Sequence, residues 1–121
     1  MSRSFVLAAA LTALLATAFA SSAGASPTAD AARTCGSLGS YPGQGYFTSL
    51  QVFHVSCATG KRVMRAHYRC RVRHGRKGRC PSVLGYRCTE TRRSIPTEYQ
   101  ARVTCKRGSR KVVYTYQQNL D

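Results

Sequence analysis

Six cysteines, all between Cys35 and Cys105, lie downstream of an apolar leader. That arrangement restricts the chain to a scaffold whose thiols meet an oxidising compartment and pair there. The leader starts with Arg3, runs apolar from Phe5 to Ala20 and ends in the small residues Ala23-Gly24-Ala25, the three parts of a secretory signal. Cleavage is expected after Ala25. Ala20 is the alternative, because Ala18-Phe19-Ala20 also puts small residues at both required positions. The apolar run covers 16 residues, short of the about 20 that a spanning helix needs, and no other stretch is apolar enough to span. Arg33 spoils the small-residue context of a lipoprotein site ahead of Cys35. The expected product is extracellular, either released or associated with the cell wall.

Residues 1–25 are thus read as the signal, residues 26–34 as a flexible lead-in poor in large apolar groups, and residues 35–121 as one small disulfide-rich domain. Removing the signal leaves 96 of the 121 residues and, with Arg3 gone, a formal net charge of +14. A domain of this size buries little more than ~60% of its unfolded surface, and it has no Trp to enlarge its core. Three bridges at about 2–4 kcal/mol each would supply stability comparable with the whole of such a domain.

Residues 36–45 carry Gly36, Gly39, Pro42, Gly43 and Gly45 and read as a loop. A first strand is expected over 46–52, with Tyr46, Thr48, Leu50 and Val52 on one face by period-two alternation. Ser56 is a good helix N-cap, and 57–70 reads as an amphipathic helix. Its inner side carries Val63, Ala66 and His67, and its outer side Lys61, Arg62, Arg65 and Arg69. On that placement His67 is a packed core residue rather than a ligand or base. Residues 71–82 read as an Arg-rich loop, 84–90 as a strand with Tyr86 and Cys88 on one face, and 91–96 as a connection. From Glu98 the alternation resumes, with Tyr99, Ala101, Val103 and Cys105 sharing a face. Gly108-Ser109 has the chemistry of a two-residue type II′ hairpin turn.

That turn pairs Cys105 with Val112, Val103 with Tyr114 and Ala101 with Tyr116, so both strands bury the same kind of face. It also opposes Lys106 to Lys111 and Arg107 to Arg110, like-charge pairs that repel. The six cysteines admit many pairings, and sequence alone selects none. Geometry removes some: Cys57 and Cys70, if both helical, stand about 20 Å apart at ~1.5 Å per residue, beyond disulfide reach. Cys88 and Cys105 face inward on neighbouring strands, which favours their bridge. Cys70 and Cys80 flank the basic loop and can close it, leaving Cys35 for Cys57. No Cys-x-x-Cys occurs, so neither a metal site nor any other cofactor is expected. The predicted fold is α+β, with one amphipathic helix on a three- to four-stranded antiparallel sheet in the order β-α-β-β-β, stapled by disulfides.

The runs Val55-Ser56-Cys57-Ala58-Thr59-Gly60-Lys61, Gly85-Tyr86-Arg87-Cys88 and Val103-Thr104-Cys105-Lys106-Arg107-Gly108, behind an Ala-rich signal, resemble a group of small exported proteins of actinobacteria. The likeness covers about residues 46–117, and Cys70 and Cys80 look like additions to the simpler pattern. It implies export and a cysteine-started helix ahead of a cysteine-bearing hairpin. No activity, substrate or site residue comes with it.

Function must then be argued from charge. Arg69, Arg71, Arg73, Arg76, Lys77 and Arg79 crowd one glycine-broken segment. Lys61 and Arg65 lie on the neighbouring helix face, and Lys106, Arg107, Arg110 and Lys111 on the hairpin tip. These are the candidate anion-binding groups, since planar guanidinium suits bidentate contact with phosphate, sulfate or carboxylate. The expected function is non-catalytic binding of a polyanion, such as anionic wall polymer, lipid headgroups or nucleic acid, by a monomer. The competing view is a solvated basic surface with no specific ligand. An alternative enzyme class is a small secreted ribonuclease using two of His54, His67, His74, Glu90 and Glu98, though no spacing brings any two together. A third is a protease inhibitor presenting residues 71–80, or an antimicrobial factor; the latter lacks a helix with a broad exposed apolar face.

Overall fold

The structure, a computed structural model, describes residues 32–121; the signal, its two cleavage positions and most of the lead-in lie outside the described residues. Seven elements follow one another: β1 (Arg33–Thr34), β2 (Gly45–Phe53), α1 (Cys57–Val72), β3 (Ser82–Val83), β4 (Tyr86–Ile95), β5 (Glu98–Arg107) and β6 (Arg110–Asn119). The strands form one antiparallel sheet in the order β1-β2-β6-β5-β4-β3. β3 to β6 form a meander, and β6, the last strand, slots between β5 and β2. α1 carries the chain across one face from the β2 side to the β3 edge. Among the described residues no helix is long and apolar enough to cross a membrane.

The class is the expected α+β, with six strands instead of three or four. Two of the additions are short. β1 arises because Arg33 and Thr34, read as lead-in, pair with Val52 and Gln51. β3 turns into β4 through Leu84 and Gly85, both at positive φ (52° and 78°), so the strand expected from 84 starts at Tyr86. β4 also runs through the expected connection, pairing with β5 as far as Ile95 opposite Glu98. Its alternation was hidden because its inward side chains there are Glu90 and Arg92, not apolar residues.

β2 runs one residue past each expected end, and only its second half, Leu50 and Val52, has the expected face. The pairing with β6 shifts between Phe47 and Ser49, and such a bulge reverses the parity of side chains on either side of it. Phe47 therefore packs inward with Tyr41, Tyr68 and Tyr114, on the side of Leu50 and Val52, whereas Tyr46 is 61% exposed. Thr48 joins Ser49 in bonding the Thr115 hydroxyl. The β5–β6 hairpin has the expected register throughout, like-charge pairs included, and Gly108 takes the positive φ (57°) of its turn.

α1 starts where Ser56 accepts from the Thr59 amide at 3.1 Å and runs two residues past the expected end. Gly75 at φ 90° then carries the following turn. Val63 and Met64 meet Leu50, Val52, Val103, Val112 and Tyr114 in the core. Each fully buried side chain of this kind contributes about 1.5–3 kcal/mol. Gly60 lets the helix approach closely: a Cβ there would stand 2.4 Å from Val52 Cγ1. Disulfides join Cys35 to Cys57, Cys70 to Cys80 and Cys88 to Cys105. The last is a directly opposed cross-strand pair between β4 and β5.

Candidate functional site

The Arg-rich segment following α1 is built differently from a free cationic loop. Arg71, an expected anion-binding group, is fully buried (0% exposed). The last turn of α1 directs it inward, where a cation also suits the negative end of the helix dipole. Its guanidinium donates to the Tyr99 hydroxyl at 2.7 Å, to the Tyr41 hydroxyl at 2.5 Å, to Gln118 Oε1 at 3.3 Å and to the Arg76 carbonyl at 3.0 Å. It also lies 4.4 Å from the Tyr116 ring centroid and 5.4 Å from that of Tyr68. Nε is buried without a hydrogen-bond partner. This correction follows from the tyrosines: their rings and hydroxyls replace the hydration that a buried cation gives up.

Beside it, Glu90 accepts from the Tyr116 hydroxyl and pairs with Arg92 at 2.5 Å and Arg79 at 3.6 Å. Arg92, absent from the sequence-based candidates, also donates to the carbonyls of Lys77 (2.8 Å) and Gly78 (2.6 Å). Its ionisation is favoured: burial opposes the charge, but Tyr116 and Glu90 outweigh it. Burial raises the hydroxyl pKa values of Tyr41, Tyr114 and Tyr116, partly opposed by Arg71, so these groups stay protonated and can donate.

His67 is 1% exposed. Its ring bonds the Cys80 backbone and, through Nδ1, the Tyr114 hydroxyl. Burial lowers its pKa from 6.5 to about 4, with Glu90 opposing and Arg71 adding to the shift. A neutral ring that donates to the Cys80 carbonyl accepts from Tyr114 at its other nitrogen. His67 and Glu90 are therefore both engaged inside the protein, and Glu98 is held by the Gln117 amide on β6.

The remaining members of the expected cluster divide into tied and free groups. Arg76 donates to the Leu120 carbonyl at 3.0 Å, Arg79 to the Glu90 carbonyl at 3.1 Å, and Arg65 to the Leu38 carbonyl at 3.0 Å. Lys111 Nζ sits 4.0 Å from the Phe53 ring centroid. Arg107 lies against Gly85. Arg69, Arg73, Lys77, Lys106 and Arg110 are exposed, and Lys61 is half-buried. The carbonyls of Arg76, Lys77 and Gly78 turn inward to Arg71 and Arg92.

A second surface was not singled out by sequence: the sheet face opposite α1. Strand register sets four rows across β4, β5, β6 and β2: Arg93-Gln100-Gln117-Tyr46, then Thr91-Arg102-Thr115 with Thr48 and Ser49, then Thr89-Thr104-Val113-Gln51, then Arg87-Lys106-Lys111-Phe53. A depression of about 710 Å³ opens over the first two rows, and one of about 300 Å³ lies by the last, at the hairpin tip. The signal was present in the outward residues of each alternating strand. It becomes a surface only once β2 and β4 are placed beside the hairpin.

Among the described residues the ion pairs all involve Glu90, with Arg79 and Arg92. Among protein-family models, curated proteins and solved structures, none matches the chain.

Proposed function

We propose that this chain is an exported, disulfide-braced, basic module that binds polyanions without catalysis. The carrying observation is the charge imbalance at its surface. Glu90 is consumed by Arg79 and Arg92 at the edge of the core, and the cations of the helix, the sheet face and the hairpin tip have no carboxylate partner among the described residues. Lys106 opposite Lys111 and Arg107 opposite Arg110 repel at some tenths of a kcal/mol per pair, a cost that a bound polyanion relieves. Anionic wall polymer, lipid headgroups and extracellular nucleic acid all carry the required charge. Export rests on the leader, the three bridges and the resemblance to exported actinobacterial proteins.

Binding would draw mainly on counterion release, so its affinity should fall linearly on a log–log plot against salt. Retention on immobilised heparin, wall polymer and DNA, measured across a salt series, is the test. Retention at low salt with a steep salt dependence is expected; no retention on any of the three at low salt overturns the reading.

A further inference from the structure

We propose that the sheet face opposite α1 is the binding surface, and that its occupant is an anionic polysaccharide lying along β5. This deepens the polyanion reading and rests on it; the new content is the location and the ligand class. The bridged basic segment between Cys70 and Cys80, the obvious candidate from sequence, is the weaker site. Its Arg71 is buried, and its Arg76 and Arg79 bond main-chain carbonyls of the protein itself, which leaves Arg73 and Lys77 as its exposed cations without such a bond. The sheet face differs: Arg93 and Arg102 are exposed and, as diagonal cross-strand neighbours, stand about 7–8 Å apart.

The layout of the face selects the ligand. Along β5, Arg102 and Lys106 are separated by Thr104, about 14 Å apart at ~3.4 Å per residue. The adjacent rows of Arg93 and Arg102 are thus separated from the cationic row at the hairpin tip by one neutral row, Thr89, Thr104 and Gln51 with Val113 among them, and a depression lies at each end. A polymer with anionic groups spaced by neutral hydroxyl-bearing stretches matches that pattern in charge and in hydrogen bonding. Single-stranded nucleic acid asks for something else, namely aromatic platforms on which successive bases stack. The outward positions of central strands β5 and β6 are Gln100, Arg102, Thr104 and Val113, Thr115, Gln117, with no ring among them. The face's aromatic residues, Tyr46 and Phe53, stand at the two ends of β2, where they can flank a chain but not form a stack.

The test uses a heparin oligosaccharide and a single-stranded DNA oligonucleotide of equal charge, with three double variants of the full domain. Arg93→Gln/Arg102→Gln removes two charges from the sheet face, and Arg33→Gln/Arg62→Gln removes two exposed charges from the helix face. Thr91→Val/Gln100→Met removes hydrogen bonding from the sheet face at constant charge. Circular dichroism and melting confirm that each variant folds. The sheet-face charge variant should weaken heparin binding by about tenfold or more, since charged hydrogen bonds are worth about 1.5–3 kcal/mol each. The helix-face variant should change it by less than about threefold, the scale of a lost screened charge. The Thr91/Gln100 variant should weaken heparin several-fold and leave DNA unchanged. Equal losses from the two charge variants would overturn the location and leave polyanion binding standing. DNA bound as tightly as heparin, with no effect of the Thr91/Gln100 variant, would overturn the ligand class. Failure of the unmodified protein to bind either probe at low salt would overturn the polyanion reading itself.

Discussion

Arg71 donates to the Tyr99 hydroxyl at 2.7 Å beneath the C-terminal turn of α1, and Tyr99 in turn donates to the Arg76 carbonyl at 2.5 Å. A cation at the end of the helix thereby fixes both the sheet below it and the segment that follows it. Neutral groups do this work: no carboxylate among the described residues forms an ion pair with Arg71. Removing the side chain leaves a cavity and strips hydroxyls and carbonyls of their donor. Arg71→Ala should therefore cost about 3–5 kcal/mol. Arg71→Lys should recover only part of that, because an ammonium cannot reach both hydroxyls in one plane. Urea unfolding midpoints at constant m-value measure both.

Burial of neutral His67 makes the fold acid-sensitive in a definite window. Its folded pKa of about 4 lies below the ordinary 6.5, so the unfolded chain binds the proton first. Stability from this group is full above pH 6.5 and falls as pH drops towards 4, by on the order of 3 kcal/mol in all. His67→Gln, which cannot titrate, should flatten the pH dependence of the urea midpoint across that window. An unchanged slope would show that other groups set it.

The segment between Cys70 and Cys80 is held twice, by its disulfide and by the Arg71 and Arg92 bonds to its carbonyls. Cys70→Ser/Cys80→Ser should lower global stability by about 2–3 kcal/mol through lost loop constraint. Native-state trypsin should still cut slowly at Arg76 and Lys77, because the carbonyls there remain engaged. Adding Arg92→Ala should make that cut fast. Digestion time courses followed by mass spectrometry separate the two restraints.

Gly60→Ala tests the helix–sheet contact. Alanine gains helix propensity worth about 1 kcal/mol, but its Cβ would meet Val52 Cγ1 at 2.4 Å on a stiff, fully buried side chain. The clash should win, with a net loss of about 1–2 kcal/mol seen as a lower melting temperature.

What the sequence by itself determined was local. Ser56 caps α1 because its hydroxyl needs only the next turn. The β5–β6 register follows from a two-residue turn and alternation on either side of it, while reach along α1 excludes Cys57 with Cys70 and facing favours Cys88 with Cys105; the full set of three pairs is fixed only by the folded structure. The tertiary structure decided what depends on distant partners. Tyr41 and Gln118, which help to accommodate Arg71, lie 77 residues apart in the chain, so nothing near Arg71 in sequence marks it as buried. The inward Glu90 and Arg92 broke the apolar alternation by which β4 would have been read through to Ile95. The bulge between Phe47 and Ser49, which reverses the facing of half of β2, exists only against β6. The four rows of the open sheet face likewise needed β2 and β4 to be set on either side of the hairpin. A polar side chain's environment is supplied by whichever residues pack around it, and for Arg71 the hydroxyl and amide partners Tyr41, Tyr99 and Gln118 come from distant parts of the chain.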